Sequence, residues 1–382
     1  MKEHWWNLPG PSRFVDRVER DVRDGHSVFL ELPLERPSGL REAVAERFSE
    51  SSLHWEDLFA SDDKPLDLMY DLFLPDHPPS ALRTMESLPT GDRFSMLIVW
   101  VEEIAEGDAP AWADFFEKYG TLCRSNPDWH HPVFLVPDAA AWGAHRKMKN
   151  TPYASTVRWN DTVERLDMQM YIGSLQLAYG ESKLEQQVAR HLMAELSLWD
   201  RDLALFLAGR SEQELFHPER ALVEYAGERG WQPRAVDLEL AWSKGMAFRV
   251  EERLEWHSAW LAMNGDLAQL RRRMWAAQVA VLFPHLELLR HKLLELIGPQ
   301  IALPVYDEKG YAVNDLFELE FRHIYYFLSR GGAHHPPQLV SYVNELRRIR
   351  NWLAHLNVLG AENIRTLANP PRMIAELEEF AS

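Results

Sequence analysis

The stretch LRRIRNWLAHL, residues 346–356, brings together Arg350, Asn351 and His355, with Arg347 and Arg348 just upstream. These residue types suit the handling of a phosphate. Histidine titrates near neutral pH and can give or take a proton. Arginine presents a planar fork of donors that matches phosphate oxygens. Asn351 and His355 are four apart and share a helix face. Arg350 and His355 are five apart, which at about 100° per residue turns them about 140° from each other. One helix therefore does not converge them, whereas two such helices side by side would. The same residues also suit the solvent-facing polar side of an amphipathic helix.

The elements that must carry them are helical. Pro336 and Pro337 fit a first turn and Gly360 fits an end, so residues 336–360 read as one long helix. Leu339, Val343, Leu346, Leu353 and Leu356 supply its apolar stripe. Residues 265–298 read as a helix pair or a kinked helix, with Pro284 at the bend. Residues 311–332 read as a further helix stopped by Gly331 and Gly332. Farther upstream, residues 181–209 have apolar positions at three- and four-residue steps, with Gly209 as the stop.

RNWLAH on the last long helix of a helical segment resembles the HEPN superfamily, small bundles marked by Arg, often followed by Asn, with His five to seven residues after the Arg. The resemblance covers about residues 255–380. It implies RNA cleavage without a metal. His355 would transfer the proton for attack of the 2′-hydroxyl, Arg350 would bind and stabilise the phosphate, and Asn351 would orient the histidine or the phosphate. Arg347 and Arg348 would add contacts to the RNA. A homodimer follows from the resemblance together with the 140° offset. Some HEPN domains serve only as binding or dimerisation modules, so a non-catalytic adaptor within a larger complex is the alternative.

The first part of the chain alternates strand-like and helix-like segments, which predicts an α/β domain with a mostly parallel sheet. Strands are expected in SVFLELP (27–33), FSMLIVWVEEI (94–104) and HPVFLVPDA (131–139), with one or two more in 156–173. Helices are expected over 39–48 and 109–125, the latter burying Trp112, Phe115, Phe116 and Tyr119. The order resembles a P-loop NTPase core, with a lead-in helix, a first strand, a Walker B-like strand ending in Glu102 and Glu103, and a sensor strand. The phosphate loop itself is missing. After the first strand stands LPLERPSGLREAV, with one glycine, Gly39, no lysine, and Pro33 and Pro37, which donate no amide. The resemblance thus implies a degenerate domain that senses a signal or binds a protein partner. Glu102 and Glu103 also fit a solvated strand end, and Gly10 between Pro9 and Pro11 fits a turn. The expected segments are 1–178 (degenerate NTPase-like), 179–250 (helical lid or connector) and 251–382 (HEPN-like bundle).

Composition narrows the classes. The net charge of −17 argues against a general nucleic-acid coat. The acidity is uneven: residues 251–382 hold 14 Lys+Arg against 16 Asp+Glu, so nearly all of it lies upstream. The single cysteine, Cys123, excludes an internal disulfide and a Cys-rich zinc site, and points to a reducing cytoplasm. The His130–His131 and His334–His335 pairs lack metal-like spacing and read as loop residues. The N-terminus becomes charged too early for a signal peptide, and no apolar run suits a membrane span. The expectation is a cytoplasmic, metal-independent endoribonuclease regulated by its N-terminal domain, a toxin or phage-defence effector, with RNA as partner and no metal, cofactor or membrane.

Overall fold

The computed structural model describes residues 5–60, 64–74, 83–86, 88, 96–105, 107–125, 131–137, 151–175, 177, 179–233, 236–306, 310–330 and 335–370. They form two compact units, Met1–Asp167 with Ala235–His257, and Met168–Arg234 with Ser258–Ser382. Part of the segment expected as a connector, residues 235–250, thus packs with the first unit.

The first unit is built on a five-stranded sheet. Its strands are β1 (Ser27–Glu31), β2 (His54–Phe59), β3 (Leu97–Glu102), β4 (Val133–Val136) and β5 (Ala154–Arg158), in the order β2-β3-β4-β1-β5. Every pairing is parallel, as Val28 opposite Leu135 and Ser155 and Ile98 opposite Val133 show. Strands β3 and β4 are almost wholly buried, which explains their unbroken apolar runs. Helices α1 (Pro9–Arg23), α2 (Leu40–Glu46), α3 (Pro65–Phe73) and α4 (Ala109–Ser125) surround the sheet. The predicted α4 stripe is buried: Trp112, Phe115, Phe116 and Tyr119 pack with Phe29 and Phe134 of the sheet.

Of the one or two strands expected in 156–173, one forms: β5 enters it from Ala154 and stops at Arg158, and helix α5 (Arg165–Ser174) comes next. The stop is enforced by Asn160 and Asp161, whose side chains accept from the Arg249 and Glu252 amides. Gly10 is not in a turn but in the first turn of α1. Its N–H donates to Oδ1 of the buried Asp167 at 3.0 Å, and a Cβ there would lie 2.0 Å from the Thr162 carbonyl oxygen.

The second unit is helical. In chain order come α6 (Lys183–Ser197), α7 (Arg201–Ala208), α8 (Glu212–Phe216) and α9 (Glu219–Glu228). The chain then gives α10 (Leu238–Ser243), β6 (Ala247–Val250) and β7 (Arg253–Trp256) to the first unit, which they complete, and returns as α11 (Ser258–Met263) and α12 (Leu267–Ile297). After hairpin β8–β9 (Val305–Tyr306, Ala312–Val313) stand α13 (Phe321–Arg330), α14 (Pro337–Ala354) and α15 (Ala361–Ala368). Helix α6 starts on a reciprocal Ser182–Glu185 capping box and packs along α12, and α14 packs on α12 and α13.

Expectations for this unit are corrected as well. Of the helix pair or kinked helix expected over 265–298, the pair is corrected: Pro284 does not break its helix, and α12 runs uninterrupted for 31 residues. An interior proline costs about 3 kcal/mol, which burial of Leu270, Met274, Leu282, Leu286, Leu289 and Leu293 outweighs. Residues 311–320 are not helical but hold β9 and a short 3-10 turn, so α13 begins only at Phe321. Gly331 and Gly332 lie outside the described residues. Among the described residues no helix is long and apolar enough to cross a membrane.

Candidate functional site

Helix α14 carries the five residues that the sequence singles out. Its buried stripe is Leu339, Tyr342, Val343, Leu346, Ile349 and Leu353. Leu356, expected in that stripe, is instead 63% exposed. The helix stops at Ala354, and Leu356 adopts a left-handed conformation with φ 62°. The Leu356 amide donates to Leu353 O and the Asn357 amide to Trp352 O, the two bonds of a Schellman ending. His355 is thereby the C-cap, and its amide bonds back to Asn351 O.

Helix α12 holds this ending in place. The Trp275 indole N–H donates to Leu353 O at 2.6 Å. The fully buried Gln278 donates Nε2 to Leu359 O and accepts the Leu359 amide on Oε1, both at 2.8 Å. His355 lies between these two anchors, so its backbone is fixed although its side chain is exposed.

Arg347, Arg350 and Asn351 line one cleft of about 590 Å³. Its opposite side comes from α12, the 3-10 turn at Leu316–Glu318, and the start of α13, which contribute Arg290, Glu318, Glu320 and Arg322. Arg290 is committed, to Glu287 at 2.7 Å and to the carbonyls of Phe317 and Leu319. Arg322 faces Glu320 at 3.5 Å. Among the described residues no carboxylate pairs with Arg347 or Arg350. The Arg347 guanidinium lies 4.8 Å from the Tyr325 ring centroid, and its Nε is buried with no acceptor among the described residues. A guanidinium held on an aromatic ring, next to a second guanidinium with no carboxylate partner among the described residues and an amide, can take an anionic oxygen.

The structure does not bring all five residues together. Arg348 is exposed and pairs with Glu345 at 3.1 Å, away from the cleft. His355 does not line the cleft either. Sequence reasoning missed Arg322 and Tyr325, which lie on an amphipathic helix with no motif to mark them.

Other candidates have structural explanations. At the carboxyl end of β3, the Glu102 carboxylate accepts from the Trp100 indole at 2.5 Å and faces Arg36 at 3.5 Å. In the loop after β1, the Leu34 amide donates to Ser243 O, and Ser38 O accepts from the Trp6 indole. His131 meets Gly25 O at 3.3 Å and packs on Tyr119 and Tyr153, and His335 packs on Phe327. His130 and His334 lie outside the described residues. Burial pushes the Cys123 thiol up to about 12, which removes it as a nucleophile at neutral pH. Among the described residues no group of three or more His, Cys, Asp or Glu could hold a metal ion. No protein-family model and no curated protein matches this chain.

Proposed function

We propose that the second unit binds RNA through its phosphates and acts as a HEPN-type, metal-independent endoribonuclease, with the first unit as its regulator. The observation that carries this reading is the cleft in which Arg347 and Arg350 stand beside Asn351 with no carboxylate partner among the described residues. In this reading Arg350 and Arg347 stabilise charge on the phosphate. His355 takes the proton of the attacking 2′-hydroxyl and can return a proton to the leaving oxygen. Because His355 stands off the cleft, a second copy of the chain supplies the missing convergence, and the active species is a homodimer.

The first unit supports a regulatory role. Its sheet is all parallel, and β1 lies beside β4, where such sheets bind ligands at their carboxyl ends. The loop there cannot act as a phosphate cradle, since Pro33 and Pro37 offer no amide and the Leu34 amide is already used. In this reading the unit is a degenerate P-loop-like domain that receives a signal rather than hydrolysing a nucleotide.

One observation favours the non-catalytic adaptor: Arg350 and His355 do not share a cleft. The test is cleavage of total RNA by the purified chain in EDTA, with the oligomeric state measured in parallel. Cleavage by a dimer, lost in Arg350→Ala and His355→Ala, is the expected result. Binding without cleavage establishes the adaptor, and full activity of His355→Ala removes the site assignment.

A further inference from the structure

A second cavity of about 400 Å³ opens on the other side of the α14 ending. Trp352, Leu356 and Met274 form its apolar wall, and His217, Glu219, Arg271 and Asn357 bring polar groups to it. Trp352 is 49% exposed, unusual for the largest apolar side chain, and Leu356 beside it is 63% exposed. Among the described residues nothing packs a ring on the Trp352 face. The size suits a small-molecule-sized group, and a half-open indole with polar groups around it suits a nucleobase, which stacks by its face and is read by its edge.

The spacing along α14 relates this cavity to the cleft. Going around the helix axis from Arg350, Asn351 comes at about 100°, His355 at about 140°, and Trp352 at about 200°. The cleft residues Arg350 and Asn351 and the cavity residue Trp352 thus lie on different sides of α14, and by the same count His355 falls between them. A single RNA strand with a phosphate in the cleft and a base in the cavity passes over His355.

We infer that the Trp352 cavity is a nucleobase subsite, and that single-stranded RNA crosses the end of α14 from the Arg347–Arg350 cleft to this subsite. The inference rests on the phosphate-binding reading and adds to it a substrate class: single-stranded RNA with an unstacked base next to the bound phosphate. Duplex RNA, whose bases are stacked and paired, cannot fill the cavity.

The test is fluorescence anisotropy of the full chain in EDTA, with His355→Ala as the background that does not cleave. The probes are a labelled single-stranded RNA oligomer, its own duplex, and an abasic ribose-phosphate oligomer of equal length. The expected result is tightest binding to the single strand. Trp352→Leu weakens the single strand about 10-fold, consistent with the loss of one stacked base, and leaves the abasic oligomer and the salt slope unchanged. Trp352→Phe, which keeps a ring, retains most of the binding, so a merely structural loss is distinguished. Arg347→Ala with Arg350→Ala weakens both oligomers and lowers the salt slope by about 1.4. If Trp352→Leu binds the RNA single strand as tightly as the parent chain does, the subsite is overturned while the cleft stands. If the abasic oligomer and RNA both fail to respond to the arginine substitutions, the phosphate reading falls, and the subsite with it.

Discussion

Replacing Gln278 by methionine keeps the length of the side chain and removes both of its polar contacts. Gln278 is fully buried, and the two bonds it makes to the amide and carbonyl of Leu359 are 2.8 Å each. Each such bond contributes about 0.5–1.5 kcal/mol net, and each backbone group left buried without a partner costs about 1–3 kcal/mol. Methionine returns some apolar burial, so the expected loss is about 3 kcal/mol. Denaturant unfolding of the intact chain, monitored by far-UV circular dichroism, reads this as a lower midpoint for the helical transition. Gln278→Glu separates the two contacts. Its carboxylate still accepts the Leu359 amide but opposes the Leu359 carbonyl, so at neutral pH it is at least as damaging as methionine. On acidification the protonated carboxyl regains a donor, and the gap to methionine closes. A Gln278→Met chain within about 0.5 kcal/mol of the parent, below the worth of even one such bond, refutes the claim that these bonds hold the end of α14.

Gly10→Ala places a Cβ 2.0 Å from the Thr162 carbonyl oxygen and 2.4 Å from the Asp167 carboxylate; it should cost the first unit about 2–3 kcal/mol, read by thermal unfolding. Leu356→Gly relieves a left-handed residue at a helix ending and loses little burial, so it should raise the stability of the second unit by about 0.5–1 kcal/mol in denaturant titration. Burial alone would raise the Glu185 carboxyl, but bonds from Ser182 and the Glu181 amide, with Arg365 nearby, hold it below its usual 4.5. Its folded-state value is the lower one, so its contribution is complete above pH 4.5 and is lost as pH falls through that lower value. Melting temperatures of the parent chain and Glu185→Gln should therefore converge as pH drops below 4.5, and a constant difference contradicts the assignment.

The elements legible in the sequence are those whose burial is continuous or one-sided. β1, β3, β4 and α4 lie in the core and read directly as apolar runs or stripes. β2 is not legible because, among the described residues, it lies at the sheet edge and pairs with β3 alone, and it exposes Glu56 and Asp57. Pro284 misleads because its local propensity is overruled by packing that only the folded chain shows. At the site, Arg350, Asn351 and His355 are legible by type and spacing. Their separation around the end of α14 is less so, since it depends on where the helix stops, and Leu356, an unusual left-handed leucine, sets that stop. The partners across the cleft come from Glu287 and Arg290 of α12 and from residues 317–322, whose sequence carries no motif.

The order of the chain constrains its synthesis. The first unit is interrupted by residues 168–234 and is completed only by α10 and hairpin β6–β7. A ribosome must therefore deliver part of the second unit before the first has all of its residues, so the five strands emerge early but the first unit cannot be completed ahead of those helices. A gene fragment ending at residue 167 leaves the Arg249 partner of Asn160 and the Ser243 partner of Leu34 behind. Neither unit corresponds to one uninterrupted stretch of coding sequence, and a cut at any single position leaves at least one of them incomplete.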